Sequence, residues 1–136
     1  MLMDVSKHEG RVPVTVLHLA GDLDASNYTN VIKKAQELYD GGVRDLILDL
    51  GKVPYISSAG LMSLHTISRI FAGHSMQTGS SGRPTFRSID PQSDREARNH
   101  LKLLNPQDAV SQVLDTVGLK EFFQIFNDVE SAVNSF

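Results

Sequence analysis

Between Val43 and Leu64 the chain reads VRDLILDLGKVPYISSAGLMSL, and this stretch limits the available folds more than any other. Leu46-Ile47-Leu48-Asp49-Leu50 is nearly continuous in apolar residues, the pattern of a strand buried on both faces. A short Lys-Val-Pro turn follows, Ser57 and Ser58 close it, and Ala59-Gly60 opens an amphipathic helix. In that helix Leu61, Leu64, Ile67 (or Ser68) and Phe71 form one stripe with Ile70 beside it, and Gly73 is the expected stop. A strand linked so directly to a helix predicts an α/β unit, because parallel strands need crossover helices.

The same order appears upstream. Residues 12–20, VPVTVLHLA, read as a strand with Val12, Val14 and Val16 on one side and Leu17 and Leu19 toward the other. Gly21-Asp22-Leu23-Asp24 ends it, and Asp24 or Ser26 is the expected N-cap of a helix from about Ser26 to Tyr39. Its apolar face is Val31, Ala35 and Leu38, and Gly41-Gly42 supplies a left-handed stop. Residues 74–99 carry few large apolar side chains among several Gly, Ser and Pro, and read as a long surface loop. After it come a short strand at 100–104 and a helix from Pro106 or Gln107 with Val110, Val113, Leu114 and Val117 in register. Gly118 closes that helix. Leu119, Phe122, Phe123, Ile125 and Phe126 form a cluster that must be core or interface, and Asn127 or Asp128 caps a last helix carrying Val129, Ala132 and Val133.

A length of 136 residues suits one domain, 1–136, with the 74–99 loop as an extra. A net charge of −3 supplies no basic field for nucleic acid. The absence of cysteine excludes disulfides and thiol catalysis. No apolar run reaches the roughly 18 residues of a membrane span, so no direct membrane insertion is expected. The start MLMDVSKHEG lacks a basic, then apolar, leader, and the expected location is cytoplasmic.

The serine pair has two kinds of chemistry open to it. A serine at a helix start can accept a hydrogen bond from a free backbone N–H. It can also carry a phosphate, which the unpaired N–H groups and the helix dipole favour. The five histidines (His8, His18, His65, His74, His100) show no ligand spacing, so neither metal nor other cofactor is expected. Asp49 reads as a carboxylate near a strand end, hydrogen-bonded to backbone. Ser58 and His65 lie two turns apart and cannot form a dyad, and no catalytic set is legible, so the chain is not expected to be an enzyme.

Several segments together resemble a STAS domain, the fold of anti-sigma-factor antagonists: Gly-Asp-Leu-Asp at 21–24, Leu-Ile-Leu-Asp-Leu at 46–50, Val53-Pro-Tyr-Ile-Ser-Ser-Ala-Gly-Leu61, and Gly118-Leu119 followed by Phe122-Phe123. The resemblance covers about residues 10–73 and 100–136. It implies a mixed, mostly parallel sheet of four to five strands with helices packed mainly on one face. It also implies an antagonist that binds an anti-sigma factor serine kinase and is switched off by phosphorylation at the serine before Ala-Gly, here Ser58, until a serine phosphatase restores it. Ser57, where many members carry Asp, is the alternative acceptor. The implied contact surface comprises Asp22, Leu23 and Asp24, then Ser57, Ala59, Gly60, Leu61, Met62 and His65, with Met62 and His65 facing outward. The rival reading keeps the fold but makes the chain a non-phosphorylated scaffold subunit of a transporter or stress-signalling assembly. Exposed aromatics at Phe126 and Phe136 would support a weak homodimer.

Overall fold

The computed structural model describes residues 2–72 and 100–136. Among these residues ten elements follow one another: β1 (Leu2–Glu9), β2 (Pro13–Ala20), α1 (Tyr28–Asp40), β3 (Leu46–Lys52), α2 (Ser58–Phe71), β4 (Leu101–Leu104), α3 (Asp108–Thr116), the single turn α4 (Leu119–Phe122), β5 (Ile125–Phe126) and α5 (Val129–Asn134). The expected surface loop at 74–99 and the helix stop at Gly73 lie outside the described residues.

The sheet has five strands in the order β1-β2-β3-β4-β5. β1 and β2 are antiparallel; the three following pairs are parallel. The mixed, mostly parallel α/β sheet expected from the sequence is the one observed. β1 was not anticipated, and its composition explains why. An antiparallel hairpin needs only a short link, and LMDVSKHE lies at the sheet edge with no fully buried residue. Polar residues suit an edge strand, and they also erase the alternation that would betray it.

Alternate residues of the central strands feed two apolar layers. Leu17, Leu19, Leu46, Leu48, Leu50, Leu101 and Leu103 meet Val31, Ile32 and Ala35 of α1, Leu64, Ile67, Ile70 and Phe71 of α2, and Val110 and Leu114 of α3. On the other face Val14, Val16, Ile47 and Leu104 meet Ala132 and Val133 of α5. Among the described residues, helices thus cover mainly one face, with α5 alone on the second.

Three local expectations are corrected. α1 starts at Tyr28, not Ser26, and neither Asp24 nor Ser26 is its N-cap. Asn27 holds that position, but its side chain turns back, accepting from Asp24 N–H (3.0 Å) and donating to the Asp22 carbonyl (2.6 Å). α3 begins at Asp108 and ends at Thr116, so Val117 falls beyond the helix and is 51% exposed. The Leu119–Phe126 cluster, expected to be core or interface, is core at Leu119, Phe122 and Phe123, and it divides into α4 and β5 after Gly118 reverses the chain at φ 81°. Phe126 and Phe136 are half-buried because they pack against the second layer, and the Lys102 ammonium lies 4.2 Å from the Phe136 ring and 5.8 Å from that of Phe126.

Candidate functional site

The link from β3 to α2 is held by the loop that leaves β2. Leu23 forms an isolated parallel bridge with Ile56, its N–H donating to the Tyr55 carbonyl (3.0 Å) and its carbonyl accepting from Ser57 N–H (2.9 Å). Both side chains are buried, at 0% and 3% exposure. Two segments some thirty residues apart in sequence are therefore joined like the rungs of a small sheet, and the start of α2 is fixed against the Asp22–Asp24 loop.

Gly60 is required by that contact. A Cβ there would meet the Leu23 carbonyl oxygen at 2.5 Å and Ile56 Cγ1 at 2.7 Å. Backbone cannot yield as a flexible side chain can, so only hydrogen fits. The glycine of Ser-Ser-Ala-Gly serves close approach, not a left-handed turn.

The two serines have different surroundings. Ser57 is the N-cap of α2: its backbone is extended (φ −91°, ψ 176°) and its Oγ accepts from Gly60 N–H at 3.2 Å. Ser58 is the first helical residue and is exposed. Among the described residues no hydrogen bond engages its hydroxyl. Neither Asp nor Glu occupies the first turn of this 14-residue helix. No carboxylate of the helix's own first turn therefore offsets the positive end of its dipole.

Around Ser58 the surface is mixed. Tyr55 is 54% exposed. Leu61 and Met62 are half-buried, as is Ala59. Asp22 is exposed, while the Asp24 carboxylate accepts from both the N–H and the hydroxyl of Ser26. Those two bonds, hydroxyl first, hold the Asp24 carboxyl below the ordinary carboxylate value. Sequence reasoning overlooked Tyr55; an aromatic immediately before Ile-Ser-Ser was the available signal.

Three of the expected contact residues are interior. Leu23 and Gly60 are buried for the packing reasons above, and they shape the surface from beneath. His65 does not face outward: it is 1% exposed, with its ring 6.3 Å from that of Phe122. Burial, followed by the nearby Arg69 cation, lowers its pKa from the usual 6.5. The reason lies in the helix. From Ser63 to Ser68 α2 is buried without interruption. Ser63 and Ser68 are compatible with this because each donates its hydroxyl to the carbonyl three residues back, at 2.5 and 2.6 Å.

The family model of the STAS domain matches residues 5–78, more than half of the chain. The chain belongs to the STAS domain family. Solved structures agree on the fold. An anti-sigma factor antagonist from Mycobacterium paratuberculosis is 16% identical with a TM-score of 0.69, the alignment covering 98% of this chain and 92% of that one. The anti-sigma factor antagonist SpoIIAA in its unphosphorylated form is 18% identical with a TM-score of 0.65, over 98% of this chain and 94% of its own. The phosphorylated form of SpoIIAA, a Bacillus cell fate determinant, is 17% identical with a TM-score of 0.60, over 98% and 97%. No curated protein matches the sequence. Among the described residues of this STAS domain, no helix is long and apolar enough to cross a membrane.

Proposed function

We propose that this STAS protein is an anti-sigma-factor antagonist, which binds an anti-sigma serine kinase in the cytoplasm and is switched off when that kinase phosphorylates Ser58. A serine phosphatase reverses the modification. One observation carries the reading: the Ser58 hydroxyl is exposed at the first position of α2, while Ser57 performs the capping that would otherwise occupy it. The phosphorylated and unphosphorylated forms of the structural neighbour SpoIIAA support it.

Charge explains how such a switch works. Phosphoserine carries roughly −1.5 to −2 at neutral pH, and the free N–H groups of α2 can accommodate it without refolding. The same phosphate lies on a surface already bearing Asp22 and Asp24, so it adds to a negative field. Pressed without a partner into an interface, it costs about 4 kcal/mol, or roughly a thousandfold in affinity. Tyr55, Met62 and the edge of Leu61 form the apolar part of the contact, with Asp22 and Asp24 at its rim. In this role the chain is substrate, not catalyst, and needs no cofactor.

Phosphopeptide mapping of the protein from its own host, through growth and under stress, tests the reading. Occupancy at Ser58 that varies with condition is the expected result, and Ser58→Ala protein then holds the kinase constitutively. Phosphate on Ser57 instead moves the acceptor by one residue. A serine pair unmodified under every condition overturns the switch in favour of the scaffold reading.

A further inference from the structure

β1 lies at one edge of the sheet, and among the described residues no strand pairs with its outer side. Its inner side is firmly held. Ser6 Oγ lies 2.8 Å from His18 Nε2 of β2, and His18 Nδ1 lies 2.7 Å from Asp49 Oδ2 of β3. The second Asp49 oxygen accepts from Gly51 N–H at 2.9 Å. Side chains of three strands thus reinforce the backbone ladder and present β1 as a fixed edge.

The register decides which backbone groups that edge offers. Thr15 N–H donates to the Asp45 carbonyl (3.1 Å) on the β3 side, so odd residues of β2 address β3 and even ones address β1. Leu2, Asp4, Ser6 and His8 oppose those even residues and exchange bonds with them. Met3, Val5, Lys7 and Glu9 therefore turn their N–H and C=O groups outward. A second β1, antiparallel and centred on Ser6, matches this set to itself: Met3 meets Glu9 and Val5 meets Lys7. Every outward group is then paired.

The side chains fit the same register. A two-fold axis perpendicular to the sheet keeps the odd residues of both copies on the α1 face, where Met3 packs. There Met3 lines a cavity of about 240 Å³ with Asn30, Lys33, Lys34 and Glu37 of α1. Glu9 of the second copy, directly opposite Met3, brings a carboxylate to the two lysines, which outweigh Glu37. Val5, 37% exposed, is covered by the aliphatic stem of the facing Lys7. The two Lys7 residues are diagonal neighbours of like charge, which keeps the association weak.

We propose that the protein forms a two-fold dimer through β1, its partner being a second copy of this chain. The edge left at each end of the joined sheet is β5, two residues long, so growth stops at two copies. The two β3 strands run in opposite directions, which places the two Ser58 surfaces at opposite ends of the dimer. Dimerisation is independent of Ser58.

Sedimentation velocity of the full chain from about 10 μM to about 1 mM should show monomer giving way to dimer. Val5→Pro removes an outward N–H that β2 does not use, so it should keep the native circular dichroism spectrum and weaken the dimer at least about tenfold. Glu9→Lys should weaken it too, and adding Lys33→Glu and Lys34→Glu should restore it. The chain has no cysteine, so single thiols report the register. Ser6 faces its own counterpart at a Cα separation of about 4.5 Å, within disulfide reach. Ser6→Cys should give a disulfide-linked dimer under mild oxidation, Val5→Cys should do so more slowly, and Ser58→Ala should dimerise as the parent does. A monomer at every concentration, a dimer indifferent to Val5→Pro, or faster cross-linking through Val5→Cys than through Ser6→Cys would overturn the proposal.

Discussion

Ser57 and Ser58 are the same residue twice, separated in role by one peptide unit. Ser57 lies just outside the helix, where its oxygen reaches Gly60 N–H; Ser58 lies just inside, where its side chain is carried to the surface. Ser57→Ala should therefore lower unfolding free energy by about 1 kcal/mol in urea denaturation, and Ser57→Asp should recover most of it. Ser58→Ala should stay within about 0.5 kcal/mol of the parent, as an exposed change that removes no cap. Gly60 answers to a stricter constraint. A methyl group 2.5 Å from the Leu23 carbonyl oxygen forces α2 away from the loop. Gly60→Ala should cost about 1–3 kcal/mol by the same assay, with the contact surface displaced as well.

At the scale of elements, α2 departs most from its appearance in sequence. His65 reads as an outward residue, yet α1, the sheet and Phe122 leave no outer face over Ser63–Ser68. Burying His65 has a consequence for pH dependence. Its native pKa is lowered, so between that value and 6.5 the unfolded chain binds a proton that the native protein refuses. The contribution of this group is present above pH 6.5 and is lost as pH falls through 6.5 toward the native value. Urea midpoints measured across this acid range should fall with decreasing pH, and His65→Leu should flatten the slope. The change in slope isolates His65 from the more exposed histidines of β1 and β2.

For the whole molecule, the two sheet faces are unequal. One carries the large leucine-rich layer; the other depends on α5 to cover Val14, Val16, Ile47 and Leu104. A buried lysine fastens that cover: Lys102 Nζ donates to the carbonyl and hydroxyl oxygens of Ser135, at 3.0 and 2.8 Å. Desolvation lowers its pKa from 10.5, partly opposed by Asp45. A chain ending at Asp128 would expose this layer and leave the ammonium without its acceptors. Its stability should fall by more than about 3 kcal/mol, with a gain in dye binding to exposed apolar surface.

Local pattern was sufficient for the α/β class, for β2, β3 and β4 as apolar runs, for the helices that follow them, and for a cap at Ser57 or Ser58 opening α2. Each is written in neighbouring residues, through periodicity, glycine stops or a short polar side chain beside free N–H groups. A cap of α5 at Asn127 or Asp128 was legible for the same reason, and Asp128 is the one, accepting from Ser131 N–H at 2.8 Å. Contacts between distant segments were not. That Leu23 and Ile56 join the two loops, that Gly60 must lack a side chain, that His65 turns inward, and that Ser6, His18 and Asp49 meet across three strands all depend on which strands pair and in what register. A shift of one residue in that pairing would send each of these strand side chains to the opposite face, so only the assembled sheet decides them.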